Sequence, residues 1–116
     1  MLDAARRNFA STITGLGGKK LKIQTKLLIN GNWVDSVSGK TFATCDPSTG
    51  KELCKVAEAQ KEDVDLAVQA AKDAFYQGPW SNMSAHHRQE LMTEFANQLL
   101  IHKEELIAIE CTDNGK

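Results

Sequence analysis

At 116 residues the chain is long enough for one ordinary domain, and 41% hydrophobic with 25% charged residues is a globular balance, not a disordered one. Its apolar runs, such as Leu27–Ile29 and Leu99–Ile101, fall far short of the ~20 residues that a helical membrane span requires. The net charge of −1 hides an asymmetry: residues 1–26 carry six basic groups against Asp3 alone, whereas residues 27–116 carry eight against fourteen acids, which predicts a boundary near Lys26.

Residues 1–14 fit a short amphipathic helix, with Leu2, Ala5, Phe9 and Ile13 on one stripe and Arg6 and Arg7 off it. A basic, hydroxyl-bearing, acid-poor start is the composition of a mitochondrial transit peptide. The bland alternative is a flexible basic arm. Arg7-Asn8-Phe9 before Ala10-Ser11 offers a processing site. Gly15–Lys20 reads as a glycine-rich linker. It is no phosphate loop, because Ile13 and Lys20 stand where that motif needs glycine and Ser or Thr. Residues 1–26 are therefore expected to form an arm and linker, with folded structure from Lys26 onward.

Asn30-Gly31 between Leu27–Ile29 and Trp33-Val34 signals a type I′ hairpin, since both central residues must reach positive φ. Thr41–Cys45 and Leu53–Val56 are two further strands, separated by the turn residues of Asp46–Gly50. This part reads as a small antiparallel meander. Three helices follow. The first runs from Lys61 to Tyr76 on the stripe Val64, Val68, Ala71 and Phe75, with Glu62, Asp63 and Asp65 suiting the helix dipole. Gly78-Pro79 ends it, and Trp80 and Met83 are expected to pin the connection to the core. Ser84 is the N-cap of the second helix, whose stripe is Leu91, Phe95 and Leu99. The third begins near Glu104, turns Leu106 and Ile109 inward, and stops at Asn114-Gly115.

The chain shows no Gly-x-Ser-x-Gly elbow, no His-Glu-x-x-His, no dinucleotide fingerprint and no zinc spacing. Cys45, Cys54 and Cys111 form an odd, sparse set without a Cys-x-x-Cys pair, which argues for a reducing compartment and for cysteines acting as small buried hydrophobes. Adjacent His86 and His87 point about 100° apart on a helix and share no face. His102 falls at a helix junction and has no carboxylate or cysteine with which to form a plausible dyad. Glu90, Glu94, Glu104 and Glu105 are patterned as solvated helix residues. Asp113 is less ordinary, because the C-terminal end of a helix repels negative charge. The basic groups lie apart from the aromatics, so no nucleic-acid partner is expected, and no membrane partner either.

From about Lys26 to Lys116 the order of these signals resembles the start of an NAD(P)-dependent aldehyde dehydrogenase. The likeness is carried by Leu-Leu-Ile-Asn-Gly-Asn-Trp-Val-Asp (27–35), by Asp-Pro-Ser-Thr-Gly (46–50), and by Glu-Asp-Val-Asp-x-Ala-Val-x-Ala-Ala-Lys-x-Ala-Phe (62–75). Trp80, Arg88 and the closing Glu-x-x-Asp-Asn-Gly-Lys (110–116) complete it. The family usually has Asn where Asp46 stands, a change that leaves the turn type intact. The pattern is nearest to cytosolic and mitochondrial members acting on small or retinoid aldehydes.

The resemblance implies an α/β fold: the small antiparallel meander and three amphipathic helices of 27–116 are expected to be a truncated piece of a Rossmann-like cofactor domain. It implies a parent reaction in which a cysteine thiolate attacks an aldehyde, hydride passes to NAD or NADP, and a glutamate activates water to release the carboxylic acid. Those residues lie downstream in the family, so no catalytic or cofactor-binding residue is carried over. The chain alone is expected to bind no cofactor and to be inactive. In members that hold a monovalent cation, oxygens of a Thr before the Asn-Pro turn and of the Asp in Asp-Asn-Gly-Lys contribute ligands. Here these are Thr44 and Asp113, an incomplete part of a site for a hard cation. The implied partner is the remainder of the domain, within a homo-oligomeric parent. The implied location is the mitochondrial matrix, with the cytoplasm as the alternative. A different reading is a non-catalytic truncated product or interaction module derived from the enzyme.

Overall fold

The computed structural model describes residues 11–116. Six strands come first: β1 (Ser11–Thr14), β2 (Lys20–Ile23), β3 (Leu27–Ile29), β4 (Asn32–Val34), β5 (Thr41–Cys45) and β6 (Glu52–Ala57). Three helices follow, α1 (Lys61–Gln77), α2 (Ala85–Ile101) and α3 (Lys103–Asn114), with a short 3-10 turn at Pro79–Asn82. The strands pair as three antiparallel hairpins, β1 with β2, β3 with β4 and β5 with β6, each a separate sheet.

The first hairpin corrects two expectations. Ser11–Thr14 is a strand and not the end of a helix, paired in register from Ser11 opposite Ile23 to Thr14 opposite Lys20. The rest of the expected helical stripe, Leu2, Ala5 and Phe9, lies outside the described residues. Gly15–Lys19 is the hairpin's own turn, closed by Gly15 N–H donating to the Lys19 carbonyl at 2.8 Å. Folded structure is therefore already present at Ser11, before Lys26. Short β-branched residues (Thr12, Ile13, Thr14) favour extended backbone over helix. Tertiary burial decides the matter: Ile13 and Leu21, directly opposite each other, are the buried large hydrophobics among the described residues.

The Asn30-Gly31 turn is as expected, with φ of 49° and 73°. Leu28 then faces Trp33 across the hairpin. The segment Ser36–Lys40 separates β4 from β5 and turns back at Gly39, whose N–H donates to the Ser36 carbonyl at 2.8 Å. β5 and β6 carry a register irregularity at Thr44 and Cys45. The chain ahead of β3 is tied to the end of β6 by Ala57 N–H donating to the Thr25 carbonyl, 2.8 Å.

The helix ends follow the sequence closely. Ser84 caps α2 by accepting the His87 N–H at 3.1 Å, and α3 stops at Gly115 in the left-handed region, φ 73°. At α1 the acidic first turn does more than suit the dipole. Asp63 is buried, and its carboxylate accepts Gln60 N–H at 2.8 Å, Val37 N–H at 2.9 Å and the Ser36 hydroxyl at 2.9 Å. It joins the helix start to the loop after β4. Trp80 does not pin a core; it is exposed, and the turn is held by the Arg88 guanidinium donating to the Met83 and Trp80 carbonyls.

The helical stripes exist but lie open. Val64, Val68, Phe75, Leu91, Phe95, Leu99 and Leu106 are all exposed. The radius of gyration is 16.9 Å, against about 13 Å for a compact chain of this length. The core sits where the β1–β2 hairpin meets β6 and α3.

Candidate functional site

The expected site residues come from opposite ends of the folded region. Thr44 lies late in β5, beside the register irregularity, and Asp113 in the last turn of α3. The fold brings them together: the Thr44 hydroxyl reaches Asp113 Oδ1 at 3.4 Å. They line a cleft of about 330 Å³ whose walls include Ile13 and Ile23 of the first hairpin, Phe42, Cys54 and Ile109.

Two links place them. The C-terminal end of α3 is seated on the Asp46–Gly50 turn. A side chain at Gly115 would come within 2.8 Å of Pro47 Cγ and 3.3 Å of Ser48 N, so backbone approaches backbone there without room for a Cβ. The turn itself is stiffened by Asp46, whose Oδ1 accepts Ser48 N–H at 2.8 Å and the Ser48 hydroxyl at 2.6 Å, while Oδ2 accepts the Thr49 hydroxyl at 3.0 Å. These bonds, the Ser48 hydroxyl's foremost, hold the carboxyl below its ordinary value. On the other side of α3, Thr112 is buried with its hydroxyl donating to the Ala108 carbonyl at 2.7 Å. Gly15 approaches so closely that a Cβ there would lie 2.5 Å from Leu21 Cδ1 and 2.9 Å from Thr112 Oγ1.

The chemistry offered is hard oxygen. A hydroxyl and a carboxylate in contact suit a Group 1 or similar cation better than a soft metal. Glu110, one helical turn before Asp113, lines the same cleft. Among the described residues no group of three His, Cys, Asp or Glu side chains is arranged to hold a metal.

The other candidates separate cleanly. Cys54 faces the cleft, but burial pushes its thiol above its ordinary value, with Glu52 and Asp113 adding to the rise. A nucleophilic cysteine needs the reverse. The cysteines are also less buried than expected: Cys45 is exposed, and Cys54 and Cys111 are half-buried. His102 Nδ1 stands 3.7 Å from Glu105 one turn ahead, both side chains partly exposed and the distance beyond that of a hydrogen bond. His86 meets Glu90 at 3.5 Å on an exposed face. The glycine-bearing turn at Gly15–Gly18 joins two antiparallel strands and does not lead into a helix, so it lacks the geometry of a phosphate cradle. Reasoning from sequence missed Asp63; the available signal was its position three residues after Gln60, the N3 place from which a side chain can reach back to the N-cap.

Residues 33–116 match the family described as the aldehyde dehydrogenase family. Aldehyde dehydrogenase family 2 member B4, mitochondrial, of Arabidopsis thaliana is 53% identical over 92 residues, covering 79% of this chain and 17% of that protein. The mitochondrial aldehyde dehydrogenase of Homo sapiens is 49% identical over 92 residues, or 78% of this chain and 18% of that protein. Among solved structures, the NAD+ complex of aldehyde dehydrogenase from Bacillus cereus aligns with a TM-score of 0.74 at 44% identity, over 78% of this chain and 18% of that one. Betaine aldehyde dehydrogenase from Staphylococcus aureus in complex with NAD+ aligns at 0.77 and 32% identity, over 80% and 18%. The chain thus spans less than a fifth of the length of these relatives. With the match running through most of the described fold, and with identity near one half over that stretch, this chain belongs to the aldehyde dehydrogenase family.

Proposed function

We propose that this chain is the N-terminal portion of an NAD(P)-dependent aldehyde dehydrogenase that oxidises aldehydes to carboxylic acids, and that it supplies outer elements of the cofactor domain. The observation that carries the reading is the 53% identity over 92 residues, within a chain whose helical stripes face solvent. Relatives solved with NAD+ support a nicotinamide cofactor for the whole enzyme, which supplies the hydride acceptor when bound. The contribution of these residues is positional. Asp63 fixes α1 to the β3–β4 hairpin, Gly115 seats α3 on the Asp46–Gly50 turn, and Thr44 and Asp113 offer two oxygens to a monovalent cation whose other ligands belong to the remainder of the domain. The assembled enzyme is a homo-oligomer. Its location is the mitochondrial matrix, a reading favoured by the basic start of the chain and by relatives named as mitochondrial; cytosolic relatives keep the cytoplasm as the alternative.

The test is a graft. Residues 27–116 replace the matching segment of the human mitochondrial aldehyde dehydrogenase, and the purified chimera is assayed for NAD-dependent aldehyde oxidation. Activity close to that of the host enzyme is expected. A folded but inactive chimera would overturn the proposal. Purified residues 1–116 alone should show neither turnover nor saturable NAD binding.

A further inference from the structure

We propose that Asn30, at the tip of the β3–β4 hairpin, is a site of spontaneous deamidation, and that Asn114, in the chain's other Asn-Gly pair, is protected by its hydrogen bonds. The sequence treats the two pairs alike. Each sets an asparagine before a glycine, whose missing Cβ leaves its amide nitrogen open to the side-chain carbonyl ahead of it. Exposure does not separate them either, since Asn30, Gly31, Asn114 and Gly115 are all exposed. Hydrogen bonding does. At the end of α3, Gly115 N–H donates to the Cys111 carbonyl at 3.1 Å. Asn114 Nδ2 donates to Glu110 Oε1 at 3.0 Å, and Asn114 Oδ1 accepts Lys116 N–H at 3.0 Å. Nucleophile and electrophile are both held there. The hairpin turn instead closes through the pair Ile29 and Asn32. Among the described residues Gly31 N–H has no acceptor and the Asn30 carboxamide has no partner. What is engaged at Asn30 is its backbone carbonyl, which accepts Asn32 Nδ2 at 3.1 Å.

The step needs no reactant besides water. Gly31 N gives its proton to water and bonds to Asn30 Cγ; the Cγ–Nδ2 bond breaks, ammonia leaves, and a five-membered succinimide closes. Water then opens the ring. Cleavage at Cγ gives aspartate, and cleavage at the main-chain carbonyl gives isoaspartate, which carries one more carbon in the backbone. Either product puts a carboxylate where a neutral amide stood. Asn30 lines the cleft between the hairpin and α1 together with Asp35, Asp63 and Asp73, so the new charge meets like charge. The extra backbone carbon also falls in a turn that needs both central residues at positive φ, 49° and 73° here. Deamidation therefore loosens the hairpin from α1.

The experiment ages the grafted enzyme carrying residues 27–116 in mildly alkaline buffer, beside a sample unfolded in guanidinium chloride. Mass spectrometry follows the two Asn-Gly peptides, and chromatography separates isoaspartate from aspartate. In the folded sample Asn30 should convert while Asn114 lags by about tenfold or more, because three bonds must open there first. In the unfolded sample the two should convert at similar rates. Asn30→Gln, one carbon too long for the five-membered ring, should prevent the conversion and the fall in melting temperature that accompanies it. An Asn30 that stays intact in the folded enzyme, or a ratio of rates that unfolding leaves unchanged, would overturn the proposal. A melting temperature indifferent to conversion would overturn the loosening. The measurement needs a folded graft and not an active one, so its failure leaves the family reading in place.

Discussion

Asp63 shows how much one carboxylate can carry when three donors converge on it. The Gln60 and Val37 N–H groups and the Ser36 hydroxyl hold its pKa below the ordinary 3.8, against the opposing effect of burial. Because the folded value is depressed, its contribution to stability is complete above 3.8 and is lost as pH falls through the lower folded value. In the grafted enzyme, protection of the Val37 amide from exchange should collapse in acid, and Asp63→Asn should weaken that protection at neutral pH and flatten its acid dependence. Wild-type acid dependence in the variant would show that another group governs the loop. Asp113 makes a separate prediction. Asp113→Asn in the same graft should shrink the rise in melting temperature given by added sodium or potassium. An undiminished rise would remove Asp113 from the cation's shell. At Cys54 the raised thiol pKa means less thiolate at neutral pH, so alkylation mapped by mass spectrometry should reach exposed Cys45 first.

Among the elements, those set by local chemistry were the ones readable in advance. Ser84, Asn30-Gly31 and Gly115 each satisfy a need confined to a few neighbouring residues, and all three stand where the sequence put them. Ser84→Ala should remove about 1 kcal/mol of capping, visible as a roughly fivefold faster exchange of the His87 amide. An unchanged rate would mean that the hydroxyl contributes nothing there. The first hairpin was not readable for the opposite reason. Leu2, Ala5, Phe9 and Ile13 match a helical period, but Ile13 lies opposite Leu21 in a strand that packs against β6, a contact no local window contains. Asp63 escaped in the same way, since two of its donors lie 26 and 27 residues away. Thr44 and Asp113 were found through family resemblance; spacing alone gives no hint that residues 69 apart meet. Gly15→Ala tests the hairpin's fit. The added methyl must displace Leu21, an overpacking cost of about 1–3 kcal/mol, and should raise exchange of the Leu21 amide.

For the whole molecule the governing quantity is surface. The chain exposes 8911 Å², where a compact folded monomer of its 12.8 kDa would expose about 6,300 Å². Ordering a residue costs about 1.5 kcal/mol while apolar burial returns about 25 cal/mol per Å², so small domains balance near zero even with complete cores. With Phe75, Leu91, Phe95 and Leu99 all uncovered, the separate chain should bind hydrophobic dyes, show poorly dispersed amide resonances and tend to aggregate. A sharp cooperative melt of a monomer with dispersed resonances would mark a self-sufficient domain and favour the interaction-module reading.

The two long-range ties described above also set an order of events in time. Asp63 closes a loop of 27 residues to Ser36, whereas Asp113 closes one of 69 to Thr44. Loop-closure entropy makes the second about 0.8 kcal/mol costlier. During synthesis at roughly 5–20 residues per second, the partners of the first tie also leave the ribosome several seconds before Asp113 does. The β3–β4 hairpin should therefore dock on α1 while α3 is still being made. The cleft that holds Thr44 and Asp113 then closes last, onto a scaffold already in register. Pulse-labelled exchange during refolding of the grafted enzyme should show the Val37 amide protected before those of α3.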